Sequence, residues 1–541
     1  MSPADNLHAF QLVFLLLLIF VAAFTLLARR LNIAYPIVLV VAGLLISFVP
    51  HIPVVPLNAN LIFLIFLPPL LFSSAYATSW RELRANGLSI GFLAFGLVAF
   101  TVFAVAEFSD RFITALDFKS GFILGAVVAA TDAIAATSIA SSLGLPRRVV
   151  DILEGESLLN DATALLALEF GLQMLLDGTT PTVSHALVRL LWLTVAGSAI
   201  GFVIGFLVAK LNDVIDDGPI QIVISLITPY AAYLAGESVH ASGVFAVVAA
   251  GLYISRQHAT IFSPQVRIQL HSVWDALTFL LNGVVFALIG LQLPVIMGFM
   301  HPNYTWPQLL GYGAIFSLIL IALRLIWVFP VAWIAHQIDL RISRHPNPTP
   351  NPKSVFIIGW TGMRGVISLA AAISLPQTLG DGRPFTTRSL ILFLTFSVIL
   401  VTLVLQGLTL PPLIRALKLS TPHRTDEEEY EARRTSLNAA IAYLEQDQAS
   451  QGDRFAHIYE DLIHRYRHRL AAVGGPTEDD PNHRLDGATY ERLRHIAAGA
   501  IHAERNTMIT LRNQGHLSDE ALRKMEHELD LQQSRYEAAN D

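Results

Sequence analysis

The chain has no cysteine among its 541 residues, which excludes disulfides, thiolate metal sites and thiol nucleophiles. It is also short of charge. Only 14% of residues are Asp, Glu, Lys or Arg, where a soluble domain carries about a quarter. No Lys or Arg precedes Arg29, so the first apolar run lacks the basic start of a signal peptide and reads as a retained spanning helix. No phosphate-binding glycine loop, zinc-protease motif or nucleophile elbow is present, so no enzyme class is indicated. The net charge of -6 averages two unlike regions and points to no nucleic-acid partner.

What fills the chain instead is apolar: 53% of residues, gathered in stretches of roughly 20, long enough to cross a hydrocarbon core about 30 Å thick. The pattern predicts an all-α polytopic membrane protein with about 13 transmembrane helices. They fall near 10–28, 33–49, 57–77, 87–106, 118–142, 150–177, 185–209, 219–236, 239–255, 273–293, 309–336, 354–375 and 386–413. Beyond about 420 the chain becomes rich in Asp, Glu, Arg and His. A transmembrane domain over 1–418 followed by a helical cytoplasmic tail over 419–541 is therefore expected.

Basic residues set the orientation. Alternate connections carry Arg29, Arg30, Arg81, Arg84, Arg147, Arg148, Lys210, Arg256, Arg267, Arg341, Arg344 and Lys353. The opposite ones carry only Arg111, Lys119, Arg383 and Arg388. The positive-inside rule places the first set and the tail in the cytoplasm and the N-terminus outside.

Ionisable side chains inside a membrane are costly and usually functional. Asp161, Asp132, Arg324 and Arg364 each fall roughly 15–18 Å from the inner end of their spans, at 1.5 Å per residue, so four helices bring charge to the midplane. Secondary transporters place their ion sites at that depth. Arg324 needs a buried carboxylate; Glu156, one and a half turns toward the cytoplasm from Asp161, is the expected partner. Asp161 is left without a permanent counter-charge and must hold either a proton or a metal ion. Ser157 and Asp161, four apart, share a helix face. Together with Asp132, carbonyls near Thr131 and water they form an oxygen set suited to Na⁺ or Li⁺. Thr131 and Asp132 sit in the small-residue run AVVAATDAIAATSIASS, and GWTGMRG at 359–365 surrounds Arg364 with glycine. Both suit ordinary close packing, and as a pair of interrupted helices they also suggest an inverted repeat around a binding site.

The ordered set LPPLLFSSAY at 67–76, TDAIA at 131–135, EGESLLNDATAL at 154–165, SGVFAVVAAGL at 242–252, FLLNGVVFALIGLQL at 279–293, the Arg324 span and GMRGVISLA at 362–370 resembles the monovalent cation/proton antiporters. The likeness is to their NhaP and sodium/proton exchanger branch, particularly bacterial members with a long tail. The resemblance implies an NhaA-like fold with inverted repeats and crossed unwound helices. It also implies a homodimer in the cell membrane, whose mobile core moves as an elevator for pH and sodium homeostasis. No cofactor is implied; Na⁺ and H⁺ are cargo. By position, Asp161 is the principal cation and proton carboxylate, Asp132 and Thr131 come from the unwound helix, Ser157 is a ligand and Glu156 pairs with Arg324. Asn160 matches the Asn-Asp pair of the electroneutral branch, which implies one cation per proton. Arg364 supports the crossing. TDAIA lacks the proline that often follows this aspartate, and FSSAY has serines where animal exchangers carry an acid. Potassium/proton exchange, or a sensor on the same scaffold, are the competing readings. Glu169 has no family role and is expected to line an outer vestibule.

In the tail, Thr425 and Glu428 have capping-box spacing, and Leu437, Ile441 and Leu444 form a helical stripe. GGPTEDDPN at 474–482 reads as a linker, and 516–532 as a further helix. His457, His464 and His468 lie on one face and read as a solvated surface or a pH-sensing group.

Overall fold

The computed structural model describes residues 3–50, 59, 62–113, 116–132, 134, 136–138, 143–178, 182–298, 305–342, 349–379, 382–419, 424–451 and 456–473, with scattered positions from 496 to 529. It divides into two compact units, Met1–Ser420 and Thr421–Asp541. Among the described residues the regular structure is helical, save an isolated bridge between Thr378 and Pro384.

The first unit runs α1 (Pro3–Leu31), α2 (Tyr35–Ser47), α3 (Ile62–Ala77), a short α4 (Trp80–Ala85), α5 (Gly87–Phe112) and α6 (Phe118–Ala129). It continues with α7 (Arg147–Leu176), α8 (Val183–Val214), α9 (Gly218–Ser238), α10 (Gly243–Ile261), α11 (Pro264–Gly290) and α12 (Leu293–Gly298). It closes with α13 (Trp306–Ile342), α14 (Pro352–Trp360), α15 (Val366–Ile373) and α16 (Arg388–Leu417). Eight helical stretches among the described residues are long and apolar enough to cross a membrane, and α2, α3 and α6 are shorter apolar helices. Large apolar side chains such as Leu191, Phe202 and Phe206 on α8 stand exposed, as expected where lipid replaces water as solvent.

Local sequence explains where helices begin. Side chains of Asp117, Asp217, Ser242, Ser263 and Asn351 each accept a backbone N–H from the first turn of the helix that follows. Pro219, Pro264 and Pro352 then take first-turn positions, where an N–H is not needed. Close packing follows from glycine. Gly197, Gly201 and Gly205 form one stripe on α8, and a Cβ at any of them would press on Ser242, Ala246 or Tyr253 of α10. The two backbones thus approach as small-residue interfaces in membranes do.

Three π-turns, Ile62–Phe66, Phe92–Leu97 and Thr402–Gln406, interrupt α3, α5 and α16. Each carries a hydrogen bond from another segment of the fold: Tyr230 of α9 donates to the Ile65 carbonyl at 3.1 Å. Trp327 of α13 donates to the Phe92 carbonyl at 3.2 Å. Thr402 Oγ1 accepts the Arg364 backbone N–H at 3.2 Å.

In the second unit α17 (Arg424–Gln451) packs on α18 (Ala456–Val473). Leu437 and Ile441 are buried as the stripe predicts, with Ile463 also buried. Tyr459 donates to Asp447 Oδ2 at 2.6 Å, and Arg467 to Glu445 at 2.8 Å. Thr425 lies within α17 rather than ahead of it, so the expected capping box is displaced. His457 and His464 are exposed on α18; the linker at 474–482 lies outside the described residues, as does nearly all of 516–532.

Candidate functional site

The site is built around two broken helices. α6 ends at Ala129, residues 130–132 leave the helical path, and residues 134 and 136–138 are helical again. α14 ends at Trp360, residues 361–365 are extended or turned, and α15 begins at Val366. Unwinding at Thr131-Asp132 therefore occurs without the proline.

The strands of backbone freed by the breaks bond to each other. The Asp132 N–H donates to the Met363 carbonyl at 2.9 Å. Arg364 Nε donates to the Val128 carbonyl at 2.7 Å, and its Nη1 to the Gly362 carbonyl. Ser368 Oγ donates to the Ala130 carbonyl at 3.3 Å. A helix cut inside a bilayer exposes carbonyls that no water can satisfy, with the negative end of its dipole. Arg364 places its guanidinium against two of them, the Val128 and Gly362 carbonyls. Asp132 in turn accepts the Ile134 N–H at 2.9 Å and so caps the second half-helix. Gly365 lies directly against the Asp132 side chain, and a Cβ there would collide with it. Replacing Arg364 by Leu leaves the Val128 and Gly362 carbonyls unmatched; a loss of roughly 3 kcal/mol of stability is expected. Thermal unfolding in detergent checks it, with Lys restoring part of the loss.

Behind the crossing lies a buried polar cluster. Glu156 and Arg324 are 1% and 2% exposed and bond in a two-pronged pair, with Nη2 to Oε2 at 2.7 Å. Arg324 also donates from Nε and Nη2 to the Ile358 carbonyl at 3.2 and 3.0 Å. Thr131 Oγ1 donates to Glu156 Oε1 at 3.3 Å and accepts from Asn160 Nδ2. Ser157 Oγ donates to the Thr131 carbonyl at 2.8 Å. α7 thereby holds the unwound segment by three side chains, and α13 and α14 are tied in through Arg324.

In front of the crossing is a cavity of about 220 Å³. Asp161, Asp132, Thr131 and Ser157 all line it, together with Ser73, Ser74, Thr137, Glu154, Asn282 and Ser368. It extends from Asp161 past Glu154 to Ala77, next to the α4 end of the fold that carries Arg81 and Arg84. Asp161 is 3% exposed, and its Oδ1 has no hydrogen-bond partner among the described residues. Among the described residues no Lys, Arg or His lines the cavity.

Sequence reasoning thus placed Asp161, Asp132, Ser157 and Thr131 on one cavity. Asn160, expected with them, does not line it and instead braces Thr131 from behind. Glu169 bonds Arg189 at 3.2 Å, while Arg189 also donates to the His240 carbonyl at 2.9 Å. It ties α7 to α8. Glu154, Thr137, Ser368 and Asn282 were not singled out as site residues. For Glu154 a signal existed: it precedes Ser157 by three and Asp161 by seven, which puts all three on one helix face.

A helical membrane fold in which two interrupted helices meet beside the buried carboxylates of α7, on a cavity with no cationic side chain among the described residues, defines a multi-pass ion transporter. The family profile described as "Sodium/hydrogen exchanger, transmembrane" matches residues 15–416, and the chain belongs to that family. An uncharacterized Na(+)/H(+) exchanger of Mycobacterium tuberculosis is 31% identical over 94% of this chain and 93% of its own length. A sodium, potassium, lithium and rubidium/H(+) antiporter of Bacillus pumilus is 29% identical over 85% of this chain and 70% of its own. Among solved structures, the sodium proton antiporter MjNhaP1 of Methanocaldococcus jannaschii superposes with a TM-score of 0.58. That match is 20% identical and covers 77% of this chain and all of the other. It establishes the fold alone.

Proposed function

We propose that the chain is a secondary active antiporter exchanging Na⁺ or Li⁺ for H⁺, one for one, at Asp161. The observation that carries this is the buried Asp161 carboxylate with an unmatched oxygen on a cavity that has no cationic lining. Such a group is stable only with a proton or a cation on it. Thr131, Ser157 and Asp132 complete the oxygen set. Glu156 is spent on Arg324, so it does not exchange.

The one-for-one stoichiometry rests on how the carboxylates are committed. Glu156 is paired with Arg324 and Asp132 accepts the Ile134 N–H, which leaves Asp161 at the crossing to take one Na⁺ or one H⁺. Glu154 lines the cavity about two turns away along α7. The cavity runs toward the end bearing Arg81 and Arg84, which the positive-inside rule makes cytoplasmic. This is the inward-open half of an alternating-access cycle. The accompanying reading is 13 crossings in the cell membrane, N-terminus outside and tail inside, with 1–418 as exchanger and 419–541 as tail. A homodimer serving pH and sodium homeostasis completes it.

Potassium is the second reading of the cargo, because the B. pumilus relative is named for sodium, potassium, lithium and rubidium together. Dequenching of a pH dye in everted vesicles on adding Na⁺, Li⁺ or K⁺ separates the cases. A response to Na⁺ and Li⁺, unaltered by clamping the membrane potential, is expected. A response to K⁺ alone changes the cargo, and none to any cation overturns the proposal. Because protons and cations compete for one carboxylate, the half-saturating Na⁺ concentration rises as pH falls.

A further inference from the structure

One wall of the cavity belongs to a different part of the fold from Asp161. Asn282, on α11, is 1% exposed and lines the cavity that holds Asp161 and Asp132. Its Oδ1 is buried and has no hydrogen-bond partner among the described residues. Its side chain lies beside the Tyr35 hydroxyl, at the start of α2. α2 and α11 are pressed together where Gly43 meets Gly290, each glycine's missing Cβ making room for the other backbone. One turn before Asn282, Thr278 donates to Ser73 of α3 at 2.9 Å. The amide is therefore mounted on a packed wall and positioned by a second side chain.

A buried carbonyl oxygen left unmatched costs free energy that folding does not recover elsewhere. Two such oxygens, Asn282 Oδ1 and Asp161 Oδ1, belong to side chains lining one cavity without any cationic residue. A donor is missing from both, and a hard cation is the group that accepts oxygen from opposite sides at once. We propose that Asn282 is a ligand to the transported alkali cation from the wall facing Asp161, and that it sets which cation is accepted, with Tyr35 as its positioning residue. The proposal rests on Asp161 as the ion-binding carboxylate. The amide oxygen adds a ligand at a fixed place, so it limits the size of ion that can bridge the cavity. Since α11 and the α6–α7 carboxylates belong to separate walls, the ligand is available while the two walls face each other. It therefore acts on cytoplasmic loading more than on the maximal rate.

The test is exchange in everted vesicles, where added cation meets the cytoplasmic face, with Na⁺, Li⁺ and K⁺ each used alone. Asn282→Ala is expected to raise the half-saturating Na⁺ concentration about tenfold, as for a lost hydrogen-bond-strength contact of about 1.4 kcal/mol. The maximal rate should stay within about twofold, and the order of preference among the three cations should change. Tyr35→Phe should shift preference in the same direction by less. Asn282→Asp, which keeps an oxygen and adds charge, should lower the half-saturating concentration. If Asn282→Ala does not accumulate as folded protein, Asn282→Ser and Asn282→Asp take its place and must shift apparent affinity in opposite directions. Unchanged affinity and unchanged preference in these variants would overturn the role of Asn282. Normal exchange by Asp161→Asn would instead overturn the site on which it rests.

Discussion

Exchange by Asp161→Asn falls to the background of empty vesicles while the protein remains folded. Asn keeps the shape of the side chain but can neither release a proton in the working range nor neutralise a cation. Asp132 remains on the cavity, yet it is occupied as the cap of the second half-helix and bonded to the Ile134 N–H. Glu156 is held by Arg324. Glu154 also lines the cavity but lies seven residues, about two turns, along α7 from Asp161 and away from the crossing, so a loss of at least about a hundredfold is expected, equal to roughly 3 kcal/mol of cation binding. Stability should move the other way. A buried carboxylate without a partner is a cost to folding, and a neutral amide of equal volume reduces it. The combined readout is vesicle dequenching with thermal unfolding in detergent. Lost transport with an unfolding midpoint at or above the parent's supports Asp161 as the exchanging group. Retained transport removes it.

The second large effect falls on folding. Glu156→Gln and Arg324→Leu each leave the opposite charge buried without a partner, and each is expected to cost about 3–5 kcal/mol. The reason is visible in how much hangs on the pair. Arg324 also meets the Ile358 carbonyl, and Glu156 also accepts from Thr131, so one lost charge loosens α6, α7, α13 and α14 together. Yield of monodisperse protein and the unfolding midpoint are the measures. The reciprocal exchange of the two residues should recover folding better than either single change. Equal losses in the swap and the singles would show that the pair is not a unit.

Sequence was informative wherever chemistry is expensive in a membrane. Asp161, Glu156, Arg324 and Arg364 stand out against apolar surroundings, and the requirement that each charge be matched led directly to the Glu156–Arg324 pair, whereas the task of Arg364 came from the family resemblance. Helix starts are encoded locally at Asn351-Pro352 and Ser263-Pro264, but hydropathy alone begins these spans at 354 and 273, because the first turns of the helix from Pro264 are polar. Cheap groups were not legible. Asn282 looks like any amide in an apolar helix, and only the cavity beside it and its unmatched oxygen distinguish it. The pairing of Glu169 with Arg189 was not legible, because Arg189 lies on another helix and the sequence around Glu169 contains no cation. Asn160 was grouped with the ion ligands on position alone, whereas one step round the helix from Asp161 turns its side chain to Thr131.

The separation of paired groups along the chain has a consequence for how the protein is made. Glu156 and Arg324 are 168 residues apart, and Arg364 is 236 residues from the Val128 carbonyl it satisfies. At about 5–20 residues per second of synthesis, the early helices wait on the order of ten seconds or longer for these partners. During that interval the ribosome has delivered an acid and several broken-helix carbonyls to the bilayer with nothing to match them. The nascent early half must therefore shelter them with protons, water or the insertion machinery. A chain halted before Arg324 is a natural substrate for membrane proteolysis.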